Sequence, residues 1–175
     1  MRIRAAGALV ACAALTTGCG GDGVVGAVGG GATCVANYPY YRSVPELVSA
    51  SDVIVVAVPG TQEERGIDYG SGSEEDHRVW PLEVRRVLRG EVPAGAPLEV
   101  KQMSCSDEPR LKQGEAQLLF LGTYPDTPGM PASLINPEQG QYVLDDAGMP
   151  RPVRDNQLRP GMDEVERLSH SIPAR

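Results

Sequence analysis

Two histidines and four cysteines in 175 residues are the whole supply of imidazole and thiol chemistry in this chain. His77 follows Glu74-Glu75-Asp76, a run with oxygen ligands to offer. A metal site of that kind needs a further donor at ligand spacing, and a contiguous acidic run reads as a solvated loop. Gly70-Ser71-Gly72-Ser73 sets serines among glycines but lacks the G-x-S-x-G form that a nucleophile elbow requires. Asp145-Asp146 lacks the alternating oxygen ligands and closing Glu of a calcium loop. With Ala147-Gly148 it reads better as a hairpin turn. His170 lies near a polar chain end without an evident partner. These positions give no catalytic residue, no metal site and no cofactor.

The aromatic residues are more suggestive. Tyr38, Tyr40 and Tyr41 stand together with Arg42 in YPYYR, and Trp80 opens a later apolar run. Tyrosine, tryptophan and arginine are enriched at binding interfaces. The same rings serve equally well as lids on the mouth of a small barrel, so core packing and an exposed partner surface both stand as readings of this set.

The N-terminus gives an address. Arg2 and Arg4 precede an uncharged, largely apolar stretch over residues 5–17, too short for a spanning helix of about 20 residues and suited to a signal sequence. It ends in Leu15-Thr16-Thr17-Gly18-Cys19, which resembles the lipobox of bacterial lipoproteins, with the leucine one place further upstream than usual. That resemblance implies removal of residues 1–18 and acylation of Cys19. The other reading is an ordinary secretory signal in which Cys19 is incidental. Residues 20–32 hold seven glycines in thirteen positions. Such a segment cannot offset its chain entropy by burial, so residues 19–33 are expected to form a flexible tether. Cys12 leaves with the signal, so Cys34 and Cys105 remain. In an exported protein they read as one disulfide, worth roughly 4 kcal/mol in the chain-entropy account. A metal or redox pair is the rival, and no C-x-x-C supports it.

These residues need a scaffold to position them. Sixteen basic against 23 acidic residues give a net charge of −7, which argues against a nucleic-acid partner. Apolar residues at 41% suit a globular domain, while 21 glycines and 15 prolines imply many turns. Ser43-Val44-Pro45-Glu46 is a capping-box signature for a short helix. Val53-Ile54-Val55-Val56-Ala57-Val58 is β-branched and apolar on both faces, as in a buried strand. Further strands are expected over residues 78–88, with a bulge or corner at Arg85-Arg86, and over 98–103, 115–121, 142–144 and 151–154. Prolines 150 and 152 place the last of these at an edge. Residues 61–76 and 124–140 read as loops, and 162–168 as a short amphipathic helix. The expected fold is all-β: a small OB-like barrel of five to six strands over residues 34–158, with a helix ahead of its first strand, then a C-terminal helix and tail over 159–175.

Three short patterns resemble the OB-type barrel of tissue inhibitors of metalloproteinases and netrin modules. They are Asp52-Val53-Ile54-Val55, then Leu88-Arg89-Gly90, then Leu111-Lys112-Gln113-Gly114 before Leu118-Leu119-Phe120-Leu121. The resemblance covers roughly residues 44–144 and implies a fold. It does not carry over the inhibitors' mechanism, because Cys34 is internal and followed by Val35-Ala36 instead of the C-x-C of that family. The expected function is therefore a non-enzymatic binding or interaction module, held by its N-terminal lipid on the extracytoplasmic side of a bacterial envelope membrane and facing an envelope protein partner. An envelope enzyme and a structural envelope lipoprotein are the alternatives.

Two acyl chains anchor stably where one short apolar segment does not. Cys19→Ala should therefore move the protein from the membrane fraction to the soluble exported fraction, and unchanged partitioning would refute the anchor. Thiol-reactive labelling of the same exported protein should find Cys34 and Cys105 unreactive until it is reduced.

Overall fold

The first strand sets the architecture because it is hydrogen-bonded on both edges. The computed structural model describes residues 37–92, 97–104, 108–155 and 158–173. Cys19, Cys34 and Cys105 lie outside the described residues. Helix α1 (Val44–Ala50) begins at the expected cap. The Ser43 hydroxyl accepts from the Glu46 N–H, and the Glu46 carboxylate accepts from the Arg42 N–H at 2.8 Å. Strand β1 (Val53–Pro59) follows at once.

The remaining elements are β2 (Glu63–Asp68), β3 (Glu74–Arg89), β4 (Leu98–Met103), β5 (Gln117–Gly122), β6 (Ala132–Leu134), β7 (Gln141–Leu144), β8 (Pro150–Pro152) and helix α2 (Met162–Ser171). Strand β1 pairs antiparallel with β3 on one edge and β5 on the other. From β3 the sheet runs through β4, the parallel neighbour β6, and back to β5. This closes a five-stranded mixed barrel, the OB-like class expected from the sequence. Strand β2 extends the sheet beside β3, while β7 and β8 extend it beyond β5.

Alternation along β1 divides the apolar residues into two layers. Val53, Val55 and Ala57 join Trp80, Leu82, Val100, Leu119 and Leu121 inside the barrel. Ile54 and Val56 face outward and join Leu47, Val48, Leu88, Phe120, Tyr142 and Val165 beneath the two helices. Strand β3 serves both regions because it is bent: Arg85 and Leu88 are extra residues opposite β1, where the register shifts. The bulge expected near Arg85-Arg86 is therefore present, with a second beside it.

Three elements differ from expectation: β3 starts at Glu74, so the acidic run read as a loop is strand paired with β2, and two short strands are new. Residues 63–68 were expected in a loop and form β2, whose faces are wet except at Ile67. Backbone pairing to β3 and the Arg65 guanidinium, which bonds both Glu63 and Glu99, replace the apolar alternation that would have signalled a strand. Strand β6 has three residues inside a proline-rich stretch, too few to show a period. The β7–β8 hairpin closes as expected, with Gly148 at φ 75° and the Asp145 carboxylate accepting from the Ala147 and Met149 N–H groups.

Arg89 ties the helices to the barrel. Its guanidinium is buried and donates to the carbonyls of Ser51, Ile172 and Pro173 at 2.7–2.9 Å. Gly90 follows at φ 76°, and a Cβ there would lie 2.2 Å from the Asp52 carbonyl oxygen. Arg89→Met keeps much of the bulk and strands three carbonyls. It should cost about 2–3 kcal/mol in urea unfolding, and a loss below about 0.5 kcal/mol would contradict this account.

Candidate functional site

The helices leave one part of the barrel wall to other cover. No residue of β4 or β6 belongs to the outer layer beneath them. On β4, Leu98 and Val100 point into the barrel, so Lys101 and Met103 alternate to the outside. On β6, Ala132 and Leu134 point in, so Ser133 faces out. Lys101 and Ser133 are register partners on the parallel seam.

Three loops close over this seam, and each brings a tyrosine: Tyr38 precedes α1, Tyr69 lies in the β2–β3 connection, and Tyr124 follows β5. The resulting cleft has a volume of about 120 Å³ and is also lined by Glu75, His77 and Glu108. The Lys101 ammonium sits 3.9 Å from the Tyr124 ring centroid and 4.5 Å from that of Tyr69, within cation–π range. Its other neighbour is the Met130 sulfur at 3.0 Å. Lys101 is 4% exposed, and among the described residues it makes no ion pair. Burial pulls its pKa down from 10.5 to about 8.

The surrounding groups are mostly committed. The Tyr38 hydroxyl donates to Glu108 Oε1 at 3.2 Å. His77 Nδ1 faces the Glu75 carbonyl at 2.8 Å, an acceptor only, and so carries a proton. In the neutral ring Nε2 then accepts from the Tyr69 hydroxyl, also at 2.8 Å. Tyr124 and Ser133 share a single hydroxyl–hydroxyl bond at 2.9 Å. Two hydroxyl protons serve one bond there, so one is left to donate elsewhere. Burial raises the Tyr69 phenol to about 12 and the Tyr38 phenol further, with Glu108 adding to the latter. Burial also raises the Glu108 carboxyl, against the pull of Tyr38, His77 and Arg78.

This arrangement offers one desolvated cation in an aromatic cleft and one free hydroxyl proton on its lining. No acid or base among the described residues is hydrogen-bonded to the amine. A second hollow, of about 450 Å³ beside Pro59, Pro81 and Gly114, is open and has Glu83 as its one ionisable lining residue.

The aromatic set read from the sequence is split by the fold. Tyr38 is 37% exposed and lines the cleft, and Tyr40 is 64% exposed. Tyr41 packs against the outer layer, and Arg42 is exposed. Gln139 holds this segment by accepting from the Tyr41 N–H and donating to its carbonyl, both at 2.8 Å, and Asn136 donates to the Pro39 carbonyl. Trp80 lies apart from them, in the core-packing place. It is 5% exposed inside the barrel, because it alternates with Leu82 on the inward face of β3. Sequence reasoning missed Lys101, Tyr69, Tyr124, Ser133 and Glu108. The available signals were a lysine on the wet face of an alternating strand, one of only two lysines in the chain, and single aromatics within polar loops.

Among the described residues no group of three or more His, Cys, Asp or Glu side chains is placed to hold a metal ion. No helix among them is long and apolar enough to cross a membrane. Comparison with known proteins finds no family model that matches the chain and no match among curated proteins.

The buried lysine makes stability depend on pH. Between about pH 8 and 10.5 the unfolded chain binds more protons at Lys101 than the folded one, so stability rises with pH. Above about pH 10 the raised tyrosines oppose this, since unfolded phenols ionise first. Urea unfolding should show a gain of roughly 2 kcal/mol from pH 7 to 9.5, absent in Lys101→Met. A profile identical in the two proteins would contradict the burial of this charge.

Proposed function

We propose that this chain is an exported, lipid-anchored, non-enzymatic binding module whose ligand site is the tyrosine-walled cleft over the β4–β6 seam. The observation that carries the reading is the convergence of three tyrosines from three separate loops on a buried lysine without an ion pair. A charge removed from water without a counter-charge destabilises a fold, and such sites concentrate where a ligand is bound. The cleft is too small for a drug-sized molecule, which needs roughly 300 Å³ or more. It suits a small solute or the tip of a larger partner.

Tyr38 joins this cleft to the surface first read from YPYYR. With Tyr40 beside it, the rim offers aromatic contact area at low entropic cost. Cys19 and the glycine-rich segment would hold the module at a membrane surface, with the acidic body contributing no attraction to anionic lipid. The likeness to inhibitor and netrin barrels supports the scaffold and leaves the ligand to this chain's own residues.

The test is NMR observation of the tyrosine rings while small anionic, cationic and neutral solutes are added to the exported protein. At least one class should shift Tyr38, Tyr69 and Tyr124 together and be recovered chemically unchanged. No perturbation by any class would refute a ligand site here, and conversion of the solute would make the protein an enzyme.

A further inference from the structure

Resting on the cleft as ligand site, we infer that its ligand group is a carboxylate, held by Lys101 with the paired hydroxyls of Tyr124 and Ser133. The geometry selects an anion first. The Lys101 ammonium is walled by two rings and a thioether, and none of these carries a negative charge to neutralise it. The cation occupies the aromatic cage itself, so an incoming cation would meet repulsion where a cage normally attracts.

The donors then select the shape. Tyr38 and Tyr69 have their hydroxyl protons engaged by Glu108 and His77. Gln102, which alternates to the barrel side of β4, has its oxygen and one of its two amide protons engaged at the barrel end, donating to the Pro109 carbonyl and accepting from the Leu111 N–H. The donors on the outer face of the seam are the Lys101 ammonium and one proton of the Tyr124–Ser133 pair. They lie side by side because Lys101 and Ser133 are partners across the parallel seam and the Tyr124 ring spans from one to the other. Two adjacent donor directions match the two oxygens of a carboxylate.

Charge sets the valence. Lys101 is the one lysine or arginine of the lining, with Glu75 and Glu108 in the same cleft, so it can balance a single negative charge and a dianion such as phosphate meets two carboxyls. The titratable groups that line the cleft with Lys101 are Tyr69 in the β2–β3 connection, Glu75 and His77 on β3, Glu108 after β4, Tyr124 after β5, and Tyr38 before α1. Lys101 is the group that loses its charge between pH 7 and 9, and carboxylate affinity falls with it.

Titration of the full exported chain with sodium acetate tests the assignment, read as the shift of the Lys101 and Tyr124 side-chain resonances. Four non-hydrogen atoms allow a dissociation constant of about millimolar order. Saturable binding should weaken about tenfold from pH 7 to 9. Lys101→Met should abolish it, and Tyr124→Phe, which keeps the ring over the ammonium, should weaken it several-fold with spectra otherwise native. Acetyl-dialanine with a free or an amidated C-terminus distinguishes the source. Tighter binding of the free acid than of acetate assigns a peptide terminus, equal binding assigns a small free acid, and either supports the carboxylate. Stronger binding of methyl phosphate or tetramethylammonium would overturn the carboxylate and leave the binding module standing. Silence of the cleft toward every probe would overturn both.

Discussion

Strand β1 can sit only where both its edges and both its faces are covered. Its backbone pairs with β3 and β5, and its side chains are apolar on either side. The barrel must close around the inward set, and the helices must cover the outward set. Everything else is placed by that division. The helices go to the β1 and β5 side, so the β4–β6 side receives loops instead. Loops can carry varied side chains on a rigid support, and here they carry the tyrosines.

Two opposed effects meet at Lys101. Burial in a medium of low dielectric disfavours its charged form, while two aromatic faces attract it. A cation–π contact is worth about 0.5–2 kcal/mol, whereas desolvating an ammonium costs several kcal/mol. Desolvation is the larger of the two, and burial lowers the Lys101 pKa. A leucine or methionine on this seam would be more stable. The Lys112–Glu115 pair shows the ordinary alternative, with the other lysine of the chain exposed beside a carboxylate.

The patterns legible in the sequence are those with structural work to do. In the three short patterns read from the sequence, Asp52 accepts from the Thr123 N–H and hydroxyl, and Leu88 packs under the helices. Arg89 clamps both helix ends, Gly90 permits a close backbone approach, and Leu111 enters the barrel core. Burial, turn conformation and capping each restrict residue type at a fixed spacing, so they leave a readable trace. The cleft leaves little. Its residues come from five separate segments, joined by a parallel seam whose shorter strand has three residues. Lys101 and Ser133 are 32 positions apart and meet only through β4–β6 pairing. The YPYYR run was visible because its residues are adjacent, yet the fold sends Tyr38 and Tyr41 to different environments.

One lysine is held as a desolvated cation inside a tyrosine cleft. With two lysines in the chain, a carbon-13 NMR titration of the lysine Cε resonances addresses it directly, and Lys101→Met assigns the signal. The account predicts a Lys101 midpoint near pH 8, with the Tyr69 and Tyr124 ring signals shifting in step as the charge leaves. A midpoint at the ordinary lysine value of 10.5, with the rings unmoved below it, would show the side chain to be solvated and would contradict the account.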